Sequence, residues 1–326
     1  MMNNQLKSLL TEIDKAIQGI GSDGKPENLY DPIRYILDMG GKRIRPMLSL
    51  LAYRLYKDDF RKALRPALAV EVFHNFTLMH DDIMDKAPLR RNKPSVHKKW
   101  NENIAILSGD VMLIKVYDLM LEVGDTSAKE VIRRFNHCAI EVCEGQQFDM
   151  DFETREKVTE AEYLNMIRLK TAVLLGFSLE MGGLIAGAPE KDLEHLKEFG
   201  INMGIGFQLM DDLLDVYADK ELFGKQVGGD ILSNKKTYLL IKALEMASGV
   251  EYENLNTWIM AKNFNKEEKI KAVTATYDQL GIEHLTKKQI EKYFKVGLKE
   301  FGKIDVPEDR KSDLLELTTY LMNREK

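Results

Sequence analysis

The sequence predicts an all-α protein, and three observations carry that prediction. Apolar residues recur at three- and four-residue steps in almost every segment, where strands would show alternation. Only 8 prolines and 22 glycines occur in 326 residues, too few for a chain of short strands and tight turns. No low-complexity tract, Pro/Ser-rich linker or sequence repeat divides the chain. A single domain over residues 1–326 is therefore expected. Leu6, Leu9, Leu10, Ile13 and Ile17 trace the first helical face. Asp31-Pro32 reads as a helix opening, with Asp as the cap and Pro in the first position. Apolar-rich stretches at 47–56, 67–79, 111–123 and 131–148 follow, and then 160–181, 192–216 and 236–247. From Glu267 onward charged and apolar positions interleave, as in helices that cover a core.

Composition narrows the function classes. With 44% apolar and 30% charged residues the chain is not a disordered one. A net charge of −5 disfavours general nucleic-acid binding. No run approaches 18 uninterrupted apolar residues, so no membrane span is expected, and the first residues carry no apolar leader run. Cys138 and Cys143 fall on one helix and read as packing residues in a reducing, cytoplasmic setting.

Three loops break the acidic average. Gly40-Gly41-Lys42-Arg43-Ile44-Arg45-Pro46 sets a glycine pair before three cations. Lys86 to Lys99 is a basic run that includes Arg90 and Arg91. Lys220 to Lys236 mixes Gly224, Gly228 and Gly229 with Lys225, Asp230 and Lys235.

Two aspartate clusters carry the chemistry. Asp81, Asp82 and Asp85 form Asp-Asp-x-x-Asp, and the pattern returns as Asp211, Asp212 and Asp215. A shuffled chain of this composition would contain roughly 0.1 copies, so two are not chance. On a helix the first and last members share a face, where like charges are mutually destabilising. A cation should therefore neutralise them. All-oxygen ligation suits magnesium, which keeps waters and recruits substrate phosphates. Flanking Lys and Arg loops then imply a diphosphate, since Arg grips phosphate oxygens in planar pairs and Lys acts as a point charge. No P-loop signature is present.

From Gly40 to Thr237 the sequence resembles the trans-isoprenyl diphosphate synthases, the polyprenyl synthetase family. Gly40 to Pro46, Asp81 to Asp85 with Arg90-Arg91, Lys170-Thr171, Phe207 to Asp215, and the loop of Gly224-Lys225, Gly228 to Asp230 and Lys235 to Thr237 fall in family order. Asn92 departs from the pattern, standing where glycine usually follows the arginine pair. The resemblance implies a helical bundle of the isoprenoid synthase type around a central cavity, usually a homodimer, with both aspartate clusters turned to that cavity. It implies magnesium-dependent head-to-tail condensation of isopentenyl diphosphate with an allylic diphosphate. Asp81, Asp85 and Asp211 would be the principal magnesium ligands, supported by Asp82, Asp212 and Asp215. Arg90, Lys170, Lys225 and Lys235 would grip the allylic diphosphate, with Thr171 beside Lys170 and Gln208 facing the same group. Lys42, Arg45, His74 and Arg91 would hold isopentenyl diphosphate. Phe76 and Thr77, ahead of the first cluster, would set product length, and an aromatic Phe76 resembles enzymes that make the geranylgeranyl product, with farnesyl as the runner-up. Helical arithmetic places Thr77 about 40° from Asp81 and Phe76 about 140° away, so the role of Phe76 rests on resemblance. A terpene cyclase or a head-to-head synthase fits the motif set less well. A non-catalytic partner subunit would typically have lost metal-binding aspartates, and all six are present.

Overall fold

The computed structural model describes residues 3–21, 24–218 and 228–323. Helices account for almost all of it: α1 (Asn4–Gln18), α2 (Glu27–Leu37), α3 (Ile44–Arg54), α4 (Arg61–Met84), α5 (Val96–Lys99), α6 (Glu102–Leu121), α7 (Asp125–Thr154) and α8 (Glu160–Ile167). A π turn at Arg168–Ala172 leads into α9 (Val173–Ala186). Then come α10 (Glu190–Tyr217), α11 (Gly229–Ser233), α12 (Tyr238–Met246), α13 (Gly249–Met260), α14 (Lys266–Gln279), α15 (Ile282–Phe301) and α16 (Glu308–Met322). Among the described residues the only strands are β1 (Leu89–Arg90) and β2 (Lys93–Pro94), an antiparallel hairpin. The all-α expectation holds.

Local chemistry sets the helix ends. Asn3 and Asn101 cap α1 and α6 by accepting from Leu6 and Ile104 N–H groups. Thr159 and Glu162 close a capping box at α8. The expected opening at Asp31-Pro32 is corrected: α2 begins at Glu27, and Pro32 lies inside it. Proline there forfeits one hydrogen bond, to the carbonyl of Asn28, and so close to the helix start the loss is tolerated. Glu27 in the first turn favours the earlier start.

The chain folds into two compact units. The first comprises Met1–Asn136, Phe177–Leu196 and Asp305–Thr318, and the second His137–Gly176, Lys197–Ile304 and Thr319–Lys326. Neither is a continuous stretch of chain. In the first, α4 packs on α6 and α3 and is buried nearly all round through Ala67, Leu68, Val70, Val72 and Phe73. Phe135 anchors an aromatic cluster there, with ring centroids 5.0 Å from Phe73, 5.4 Å from Tyr117 and 5.8 Å from Phe177. Such contacts add about 0.5–1.5 kcal/mol each beyond area burial. In the second unit Phe199 meets Phe301 at 4.8 Å and Phe207 meets Phe294 at 5.4 Å. The stretch Glu160–Ala186 is long and apolar enough to cross a membrane by composition, but 78% of its apolar window is buried in the fold. It is a core helix.

Cys138 is buried as expected, whereas Cys143 is exposed, correcting the reading of both as packing residues. Five helical steps turn the side chain by about 140°, off the buried face.

Candidate active site

In the first unit α4 delivers the first aspartate cluster at its C-terminal end, where Asp85 is the cap residue. The three carboxylates are unequal. Asp85 is exposed and Asp81 half-buried, while the Asp82 side chain is 2% exposed. Asp82 is held by Arg90, whose Nε and Nη2 donate to Oδ1 at 3.0 and 2.5 Å. That is a charge-assisted, two-pronged contact.

The hairpin makes it possible. Arg91 and Asn92 form its turn with φ of +51° and +61°. Two successive left-handed residues make the turn that matches strand twist, and Asn tolerates that region best after glycine. The departure at Asn92 therefore keeps the loop. His80 Nε2 lies 3.2 Å from the Ile106 carbonyl oxygen, to which it donates in its Nε2–H tautomer, and the ring lies over Gly109, in a packing role.

The glycine-rich loop of the first unit comes next. Gly40 and Gly41 have φ of +79° and +152°, and Arg43 has φ +47°. Lys42 is exposed and Arg45, in the first turn of α3, half-buried. The Arg91 guanidinium lies so close to Gly41 that a Cβ there would sit 3.0 Å from Nη2. His74 is pushed well below its ordinary pKa, first by burial and then by Arg45, Arg91, Arg90 and Arg43. Its imidazole is thus neutral at pH 7, able to donate one hydrogen bond without adding charge. Arg45, His74 and Arg91 are therefore near neighbours, with Lys42 on the adjoining loop. Phe76, half-buried, packs its ring on Phe73 at 5.7 Å and on His80 at 4.6 Å. Thr77 spends its hydroxyl on the His74 carbonyl at 2.8 Å.

In the second unit α10 carries the other cluster. Asp211 is exposed, Asp215 half-buried and Asp212 buried. Asp212 accepts from the Tyr163 hydroxyl and, at 3.1 Å, from Gln208 Nε2. Thr171 Oγ1 donates to Gln208 Oε1 at 3.2 Å, which fixes the amide orientation. Asp215 accepts from the Asp230 N–H at 2.9 Å, tying α11 to α10.

Lys170 sits in the π turn. Gly145 of α7 and Gly204 of α10 face that turn: a Cβ on either would fall within 2.2 Å of Lys170 N or 2.6 Å of Ala172 Cα. Only glycine lets the backbones approach so closely. Lys170 Nζ donates to Asp149 Oδ2 at 2.6 Å. Burial pushes Asp149 up, but Lys235 and Lys170 outweigh it and hold the carboxyl below its ordinary value. Asp212 is raised to about 6, chiefly by burial. Asp230 is raised to about 7 by burial and by Asp212, with Asp215 and Asp149 adding to it. Lys225 lies outside the described residues.

The structure thus gathers Lys170, Thr171, Gln208, Asp212, Asp215 and Lys235 in one unit, and adds Asp149, Tyr163 and Asp230 to them. Asp230 stood in a motif but was given no role from the sequence. Asp149 lies one helical turn before Glu153 in an acidic stretch, and neither it nor Tyr163 carries a local signal that sets it apart.

Among the described residues no group of three His, Cys, Asp or Glu side chains forms a ready-made cage for a metal. Magnesium needs none, since it takes one or two carboxylates and completes its shell with water and phosphate oxygens. The donors fit it: the second unit crowds the carboxylates of Asp149, Asp212, Asp215 and Asp230, and burial first, then repulsion from the other three, raises Asp230, a repulsion that a divalent cation would relieve.

A family model for polyprenyl synthetases matches residues 26–277. The chain is 39% identical to a geranylgeranyl diphosphate synthase of Methanosarcina mazei, over 99% of this chain and 98% of that one. It is 36% identical to a geranylgeranyl pyrophosphate synthase of Geoglobus acetivorans, over the full length of both. A crystal structure of a geranylgeranyl pyrophosphate synthase superposes with a TM-score of 0.94 at 45% identity, covering all of both chains. With aspartate clusters, diphosphate-type cations and an all-α fold already in place, the chain belongs to the polyprenyl synthetase family of prenyltransferases.

Proposed function

We propose that this chain condenses isopentenyl diphosphate with an allylic diphosphate, head to tail, and releases geranylgeranyl diphosphate. The observation that carries the reading is the second unit's assembly of Asp211, Asp212 and Asp215 with Lys170, Gln208 and Lys235. It combines oxygen ligands with the cations a departing diphosphate requires. Asp81 and Asp85 in the first unit and Asp211 in the second would hold magnesium, with Asp82, Asp212 and Asp215 in support. Bound magnesium supplies positive charge to the leaving diphosphate.

The chain's own groups do the rest. Lys170, Arg90, Lys235 and Lys225 neutralise the allylic diphosphate as its C–O bond ionises. Arg90 and Lys170 are already oriented by Asp82 and Asp149. Gln208, fixed by Thr171, faces the same diphosphate. Lys42, Arg45, Arg91 and neutral His74 hold isopentenyl diphosphate so that its alkene meets the allylic carbon. The new C–C bond leaves a tertiary cation, which loses a proton to the released diphosphate, there being no dedicated base among the assigned residues. Residues 1–326 act as one domain, supported by the interleaving of both units along the chain. We place the enzyme in the cytoplasm, as a homodimer.

For product length, two relatives named as geranylgeranyl synthases support the twenty-carbon product, and the half-buried Phe76 ring is the residue assigned to limit it. Farnesyl diphosphate is the second reading. The test is turnover of purified protein with magnesium, labelled isopentenyl diphosphate and separate allylic primers, with product sizing. Phe76→Ala is expected to lengthen the product by one or more isoprene units, and an unchanged distribution would sink that assignment. No turnover by the isolated chain would favour a partner-subunit role.

A further inference from the structure

The buried ion pair beneath the glycine-rich loop takes no part in the steps above. Arg43 stands between Lys42 and Arg45, in a motif where every cation invites assignment to the ligand. Its side chain instead turns inward and is 3% exposed. Three elements grip it. Nη1 donates to Glu71 Oε1 of α4 at 2.7 Å, Nη2 to the Leu37 carbonyl ending α2 at 2.7 Å, and Nε to Asp14 Oδ1 of α1 at 3.1 Å. Glu71 is fixed in turn, since Asn75 Nδ2 donates to its Oε1 at 3.3 Å and to its backbone carbonyl at 2.8 Å.

The backbone explains why such a lock is needed. Arg43 holds φ +47°, a region a long L side chain rarely occupies, and it follows Gly41 at φ +152°. Left to itself, a segment with two flexible glycines would sample many conformations. A left-handed residue persists only where its surroundings over-determine it. Glu71 lies one turn before His74 on α4, so one helix face carries both the lock and the neutral imidazole.

We propose that Arg43 is the positioning residue of the isopentenyl diphosphate site. Locked by Glu71, it holds Gly40 to Arg45 in the conformation that presents Lys42 and Arg45 to the diphosphate. This rests on the reading of Lys42, Arg45, His74 and Arg91 as that site.

Steady-state kinetics with both substrates, and calorimetric binding of isopentenyl diphosphate without an allylic partner, test it. Glu71→Gln and Arg43→Lys are expected to raise the KM and Kd for isopentenyl diphosphate about tenfold, with allylic KM and kcat at saturation within about twofold. Arg43→Gly, which relieves the backbone but removes the lock, should do the same. Should the buried variants fail to fold, the surface change Asp14→Asn removes one limb of the grip, and is expected to raise the same KM about threefold. A lower melting temperature with both KM values unchanged, or an equal rise in both, overturns the proposal. Lys42→Ala separates the two layers. If it leaves isopentenyl diphosphate binding unchanged, the site reading itself fails. If it weakens binding while the Glu71, Arg43 and Asp14 variants do not, only the positioning role fails.

Discussion

The two Asp-Asp-x-x-Asp clusters share a sequence pattern and differ in how each buries its middle carboxylate. Asp82 and Asp212 are both interior, at 1% and 6% exposure. In the first unit a cation answers the charge, because Arg90 straddles Asp82. In the second the hydrogen bonds to the carboxylate come from neutral groups, a Tyr163 hydroxyl and a Gln208 amide, and Lys235 adds its charge to them. Asp212 is raised to about 6 as a result of its burial, and its neighbour Asp230 to about 7. The repeated motif fixes where the oxygen atoms are, and the packing around it fixes their charge. The second cluster therefore has more to gain from an external cation.

The largest test of the comparison removes the outer carboxylates. Asp81→Ala and Asp211→Ala are each expected to cut kcat about a hundredfold or more, the scale of one lost transition-state contact, measured by initial rates at saturating substrates. Equal losses would mean that both clusters serve the same step. A loss confined to one would break the proposed symmetry.

Stability separates the middle residues next. Arg90→Ala strands a buried carboxylate, a change that costs about 3 kcal/mol, at the low end for a buried pair because Arg90 itself is partly exposed. Tyr163→Phe removes one hydroxyl donor and should cost about 1–2 kcal/mol. Denaturant melts of the two variants check the ranking, and the reverse order would show that Asp82 finds another partner.

The smallest effect is on pH. An unfolded His74 takes up a proton near its ordinary value of 6.5, and the buried imidazole among four arginines does not. The unfolded state then binds more protons below that value, so stability present above pH 6.5 is lost as pH falls below it. The slope is at most about 1.4 kcal/mol per pH unit for one group. Arg45, Arg91, Arg90 and Arg43 act on the ring through their charges, which they hold throughout this range, with Glu71 one helical turn away as the nearby carboxylate. The difference in unfolding free energy between the parent and His74→Gln, measured from pH 7 to 5.5, isolates the effect; no pH-dependent difference would show that His74 is not held neutral.

Helical periodicity placed α1 correctly because it buries one continuous face, and a period of 3.6 leaves its trace in such an amphipathic segment; α4, buried nearly all round, is legible instead as a long apolar stretch without strand alternation. The start of α2 was misplaced, because proline is both a helix-opening signal and tolerated within the first turns. The hairpin at Leu89–Pro94 is only a basic loop at the level of sequence, since two-residue strands leave no periodicity. The inward turn of Arg43 was equally hidden. Its partners lie 28 and 29 residues away along the chain, on α4 and α1.

By itself the sequence determined the helical class, both aspartate clusters, the cationic loops and the family, because these are local patterns of residue type and spacing. The tertiary structure decided which carboxylate of each cluster is buried and what neutralises it. It also decided that Asp149 anchors Lys170, and that Arg43 serves the loop's shape. Those outcomes depend on desolvation and on partners brought from distant helices. Both are properties of packing that no local pattern encodes.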